Sequence, residues 1–209
     1  MQTHSPIGRN PLSALRQFVR KPASPPVENC ELCGLALPAE HSHLLEYEHG
    51  KLVCSCEACA ILFSGQQGAR FKRVPRDIEL LQGFQLSDGQ WDDLHLPINL
   101  AFFVERTPVQ RVLAFYPSPA GAVESLLSLE AWQALLEQNP VVATFEPDVE
   151  ALMVNRVNGA RGYYRCPIDE CFKLVGLIRI HWKGLSGGTQ VWDEVARFFS
   201  SLEERSRPR

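Results

Sequence analysis

Five of the seven cysteines fall within thirty residues, spaced Cys30-x-x-Cys33, then twenty residues, then Cys54-x-Cys56-x-x-Cys59. Two C-x-x-C pairs suit a tetrahedral metal, because each tight knuckle can present two thiolates at neighbouring corners. Thiolates are soft ligands that suit zinc and also iron, so the ligand set alone leaves zinc or iron open. Five thiols compete for four positions. Cys30, Cys33, Cys56 and Cys59 have the knuckle spacing, whereas Cys54 ends the apolar stretch Leu52-Val53 and reads as a strand residue. Cys54 is then an outer neighbour of the site or a substitute ligand. His41, His43 and His49 could also compete, although loop histidines are usually solvated.

Cys166 and Cys171 flank Pro167-Ile168-Asp169-Glu170. A thiol at a helix N-terminus has its thiolate stabilised, which makes either one a candidate reactive thiol. Cys171 also lies on an apolar helical stripe, where a cysteine serves as a small core residue. Gly184 to Thr189 precedes a helix, as anion-binding loops do, but lacks the Gly-Lys-Ser/Thr of a nucleotide cradle and reads as a turn. Arg70, Lys72, Arg73 and Arg76, interleaved with Phe71, form the densest basic patch, a candidate surface for phosphates or an acidic partner. The bland alternative is a solvated face. No residues form a recognisable catalytic set, so the reading leans away from an enzyme.

The elements that must position these residues follow from periodicity. Asn10 and Pro11 can open a short amphipathic helix carrying Leu12, Leu15, Phe18 and Val19, with Phe18 a candidate partner contact. It gives way to the stiff linker Lys21 to Pro26, so residues 1–27 form a helix and a Pro-rich linker. Residues 28–72 form the metal-binding module. Residues 73–204 form an α+β domain, and 205–209 a polar tail expected to fray. Within that domain, Leu100–Glu105 and Arg111–Tyr116 read as strands around a turn at Thr107-Pro108, and Leu129–Gln138 as a helix. Ala151–Val157 reads as a strand leading through Asn158-Gly159 into Tyr163-Tyr164-Arg165, a hairpin. A helix opening at Pro167 and ended by Gly184, then a last helix with Val191, Val195, Phe198, Phe199 and Leu202 on one face, complete an α+β fold class.

The chain has 209 residues, 45% hydrophobic and 22% charged, with a formal net charge of -3. This is an ordinary globular composition, and the negative balance argues against a general nucleic-acid binder. No apolar run approaches the ~18 residues of a membrane span, and residues 1–10 lack the apolar stretch of a secretory signal. A cytoplasmic protein is the simplest reading. In a reducing compartment clustered cysteines favour metal over disulfides.

Several resemblances bear on this. Knuckle, hairpin and a second knuckle at a helix start, with Ala60-Ile61-Leu62-Phe63 following Cys59, resemble a treble-clef zinc finger. Cys30-Glu31-Leu32-Cys33-Gly34 resembles the first knuckle of rubredoxins, where four thiolates hold redox-active iron; Ala60 stands where those have a glycine after the second knuckle. The same string resembles the finger of some HNH nucleases, but the histidines their chemistry needs are missing. Asp169 to Arg179, then His181 to Gly188, together with Cys30 to Gly34 and Cys54 to Phe63, resemble a bacterial domain family of unknown function. Its members are often encoded beside genes for actinobacterial-type nickel–iron hydrogenases. The resemblance implies a zinc-binding accessory protein that acts by contact with a hydrogenase subunit or maturation factor. The alternatives are a rubredoxin-like iron electron carrier or oxygen-protection factor and, further off, a nucleic-acid-binding finger.

Overall fold

The computed structural model describes residues 28–66, 68–184 and 187–209. The amphipathic segment with Phe18, the linker 21–26 and Leu185-Ser186 of the glycine loop lie outside these residues. Two sheets organise the fold. The smaller has strands β1 (Ser42–Glu46), β2 (Lys51–Ser55) and β3 (Phe71–Arg73) in the antiparallel order β2-β1-β3, with helix α1 (Glu57–Phe63) following β2.

The larger sheet has seven strands: β4 (Glu79–Leu80), β5 (Leu100–Arg106), β6 (Arg111–Ser118), β7 (Gly121–Ser125), β8 (Glu150–Asn155), β9 (Gly162–Pro167) and β10 (Arg207–Pro208). Their order is β10-β4-β9-β8-β5-β6-β7, antiparallel throughout except for the parallel β10–β4 pair. Four helices accompany it: α2 (Asp88–Asp93), α3 (Leu129–Gln138), α4 (Ile168–His181) and α5 (Gly188–Arg205). The fold is mixed α+β and rich in sheet.

The central strands are apolar on both faces because both faces are covered. On β5, Leu100, Phe102 and Val104 join the core beneath α4 and α5, while Ala101 and Phe103 join a second core with Trp91 of α2 and with Trp132 and Leu135 of α3. β8 splits the same way, Ala151 and Met153 to one side and Leu152 and Val154 to the other. Phe103 stacks on Trp132 with ring centroids 4.8 Å apart. The small sheet adds to the first core: Leu45 and Val74 are buried with α4 and α5. Its opposite face, Leu44 and Val53, packs on Ala60 of α1.

Ser128 caps α3, its side chain accepting from the Ala131 N–H, and Asn139 ends the helix. β8 begins at Glu150 and stops at Asn155, short of Val157, because Val157–Gly159 already forms a 3-10 turn with Asn158 at φ 53°. α4 stops at His181 rather than running to Gly184. The C-terminal tail departs most from expectation. It does not fray as a polar end but pairs with β4: the Arg207 N–H donates to Ile78 O and the Arg209 N–H to Leu80 O, each at 2.9 Å. Arg207 also pairs with Asp77 and Arg209 with Glu79. Among the described residues, no helix is long and apolar enough to cross a membrane.

Candidate metal centre

The first knuckle is a tight reversal. The Cys30 N–H donates to Leu35 O at 2.7 Å, and the Gly34 N–H donates back to Cys30 O at 2.8 Å. Gly34 sits at φ 77°, a conformation that a side chain at this position would strain. The second knuckle is the start of α1, where Cys56 is the cap and its Sγ accepts from the Cys59 N–H at 3.5 Å. Two hydrogen bonds fasten the first knuckle to β2 just before the second. The Glu31 N–H donates to Cys54 O at 2.9 Å, and the Cys54 N–H donates to Glu31 Oε1 at 3.0 Å.

The four knuckle sulfurs are thereby gathered within 4.8 Å of one another. Cys33 Sγ and Cys56 Sγ are 3.8 Å apart. Four thiolates bound at about 2.3 Å to a tetrahedral ion would lie about 3.8 Å from one another. The Cys33–Cys56 pair is already at that spacing, and no pair among the four sulfurs exceeds it by more than about 1 Å. Cys30, Cys56 and Cys59 are buried and Cys33 is exposed.

The electrostatics are those of thiols sharing one small space. Burial opposes ionisation of Cys30, but N–H groups of Cys56, Cys33 and Leu32 aim at its sulfur and bring the thiol down to about 6. Burial and the neighbouring sulfurs push Cys59 up to about 12. Negative charge thus enters at Cys30 and is resisted at Cys59. A dication is what would let all four ionise together. Cys54 packs beside this cluster as a partly buried neighbour. Burial, with Glu28 and Glu31 nearby, pushes its thiol up.

The basic patch and the Cys166–Cys171 pair are not part of this cluster. Each residue of the basic patch is already engaged: Arg70 with Glu46, Lys72 with Glu146 and Pro147 O, Arg73 with Glu57, and Arg76 with Ser42 Oγ. They hold the small sheet together and to the loop before β8, while the Arg70 and Arg73 side chains stay 71% and 42% exposed. Cys166 and Cys171 are both fully buried, with sulfurs 3.8 Å apart. Burial pushes the Cys171 thiol well up, the opposite of an activated nucleophile.

A groove of about 910 Å³ runs between the two sheets past Lys72, Glu146, Glu150 and Arg165, but Lys72 pairs with Glu146 and Arg165 with Glu150. Of the three candidate histidines, His49 is the solvated loop residue expected; the side chains of His41 and His43 are 5% and 20% exposed. His43 meets Asp169 of α4, and His41 lies against the His43 ring, Pro38 O and Glu28; the contact with α4 is one that a reading along the chain could not supply. The alternation His41-x-His43 beside a strand was the available signal.

This arrangement, four cysteines gathered within metal-binding distance beside a three-stranded sheet and joined to a helix-covered seven-stranded sheet, is a mixed α+β fold that carries a candidate metal site. The family of unknown function designated DUF5947 matches residues 29–206, and the chain belongs to that family. Comparison with curated proteins and with solved structures gave no match.

Proposed function

We propose that this protein is a zinc-binding accessory protein of the cytoplasm that works by contact with another protein, in the assembly or function of a nickel–iron hydrogenase. The observation that carries the metal reading is the gathering of four sulfurs within 4.8 Å, with the Cys33–Cys56 pair at tetrathiolate spacing. Knuckle, hairpin and a second knuckle at the start of α1 support a treble-clef arrangement, in which zinc has a structural part. Zinc here would fix both knuckles and α1, whose own core is little more than Leu44, Val53 and Ala60.

Contact with a partner is supported by the surface beside the cluster. Leu35 after the first knuckle and Ile61, Leu62 and Phe63 on α1 are exposed. Apolar side chains grouped on one short helix mark interaction surfaces more often than scattered ones do. This surface adds to the basic patch of Arg70, Lys72, Arg73 and Arg76, whose side chains also have partners within the fold. The hydrogenase link rests on the family resemblance alone.

Affinity capture of the tagged full-length protein from its native host tests the reading. Recovery of hydrogenase subunits or maturation factors, weakened by Leu62→Asp, is expected. Reproducible recovery of a different specific partner would replace it. A second reading, an iron electron carrier, is favoured by the exposure of Cys33, through which an electron could pass. Iron with thiolate charge-transfer colour after anaerobic purification would establish that reading instead.

A further inference from the structure

The register of β1 and β2 sets His43 directly opposite Cys54. Directly opposed residues of an antiparallel pair project from the same face. His41 precedes His43 by two residues, so extended backbone returns it to that face as well. One ring nitrogen of each histidine and Cys54 Sγ accordingly lie within 4.8 Å of one another. None of the four knuckle sulfurs belongs to this group.

The rings are oriented as metal ligands are. His41 Nδ1 is 3.0 Å from Pro38 O. A carbonyl can only accept, so Nδ1 carries the proton and Nε2 keeps its lone pair. His43 Nδ1 is 2.9 Å from Asp169 Oδ2 on α4, which fixes the same tautomer in a neutral ring. Histidines that bind metals almost always donate their other N–H to a carbonyl or carboxylate, as both do here.

His41 supplies an independent sign of a missing ligand. Its side chain is 5% exposed, and Nε2 is buried without a hydrogen-bond partner. The nearest carboxylate, Glu28 Oε2, is 3.5 Å away, long for a charge-assisted bond to a protonated ring. The adjoining hollow, about 440 Å³, is lined by Glu28, Glu40 and Asp169 and also by Arg76, Lys173 and Arg205. Lys173 and Arg205 share Glu170, and Arg76 donates to Ser42 Oγ. The lining thus carries four carboxylates, Glu170 included, against three cations, a small negative excess on the approach.

We propose that His41 Nε2, His43 Nε2 and Cys54 Sγ form a second metal site, for a divalent transition metal of which zinc is the type. Two imidazoles and a thiolate reject hard cations such as magnesium and suit borderline ones. Three protein ligands leave a fourth position, within reach of Glu28, where a structural site would be closed. The site lies where the small sheet meets α4, so the metal would couple the two through His43 and Asp169.

The test is zinc content per chain by mass spectrometry, on full-length protein equilibrated with excess Zn²⁺ and desalted. Folding of each variant is checked by circular dichroism. Two zinc ions are expected in the wild type, with loss of one in both H41Q and C54S. Cobalt substitution supplies a second readout: the absorption lost in H41Q should show the weak charge transfer of one thiolate, not four. Equal zinc in wild type, H41Q and C54S would overturn the proposal. So would loss in C54S alone, which would put Cys54 in the tetrathiolate instead. Loss in C59S of the other equivalent reports on the tetrathiolate separately, so either site can fail without the other.

Discussion

Protons and metal compete for the same four sulfurs, and the competition is uneven. Cys30, brought down to about 6 by the N–H groups around it, gives up its proton most readily; Cys59, pushed up to about 12, keeps its proton at neutral pH without a metal. Binding of a dication must therefore expel protons, so affinity rises with pH. Competition with a chromophoric chelator should show affinity falling at least about tenfold per unit from about pH 8 to about pH 6. An affinity independent of pH would mean that thiolates are not the ligands. At this scale the four knuckle cysteines were legible in sequence, because C-x-x-C spacing is itself the geometry. The surroundings of His43 were not, since its partner Asp169 arrives from a distant helix.

Between elements, Glu170 joins the start of α4 to the end of α5. It accepts from Nη1 and Nη2 of Arg205, each at 3.0 Å, and from Lys173 at 2.8 Å, and its side chain is 5% exposed. Burial works against its charge, but Arg205 and Lys173 outweigh burial and hold the carboxyl below its ordinary value of 4.5. A carboxyl depressed in the fold stabilises fully above its unfolded value. That contribution fades as pH falls through the lower folded value. Glu170→Gln should cost about 1–3 kcal/mol in urea unfolding at neutral pH. The gap to wild type should close on acidification below 4.5, and a constant gap would contradict this account.

Longer elements were readable because they span enough residues to display a period and a cap. β5, β6 and α3 fall close to their expected bounds. β4 and β10 have two residues each, too few to show alternation, and they exist only through each other and β9. α2 was missed although Ser87 and Gln90 form a full capping box, a signal present in the sequence.

Across the whole molecule, the two sheets share a core and several polar links. Leu45 and Val74 sit with α4 and α5, and Lys72 donates to Pro147 O across the junction. Gly50, in the turn between β1 and β2, lies under Arg106 of β5. Its φ is 62°, and a Cβ there would meet Arg106 Nη2 at 2.7 Å. Gly50→Ala should destabilise by about 1–2 kcal/mol from the left-handed backbone alone. It also displaces Arg106 from Asp148, 3.5 Å away. Because the sheets share a core, the loss should appear in one cooperative transition. Separate melting of residues 28–73 would show that the sheets are energetically independent.

The tetrathiolate centre is tested most directly by the metal content and visible spectrum of anaerobically purified full-length protein, wild type against Cys59→Ser. The account predicts colourless protein and one zinc fewer per chain in the variant. Equal zinc in both, or iron with thiolate charge-transfer bands in the wild type, would contradict it.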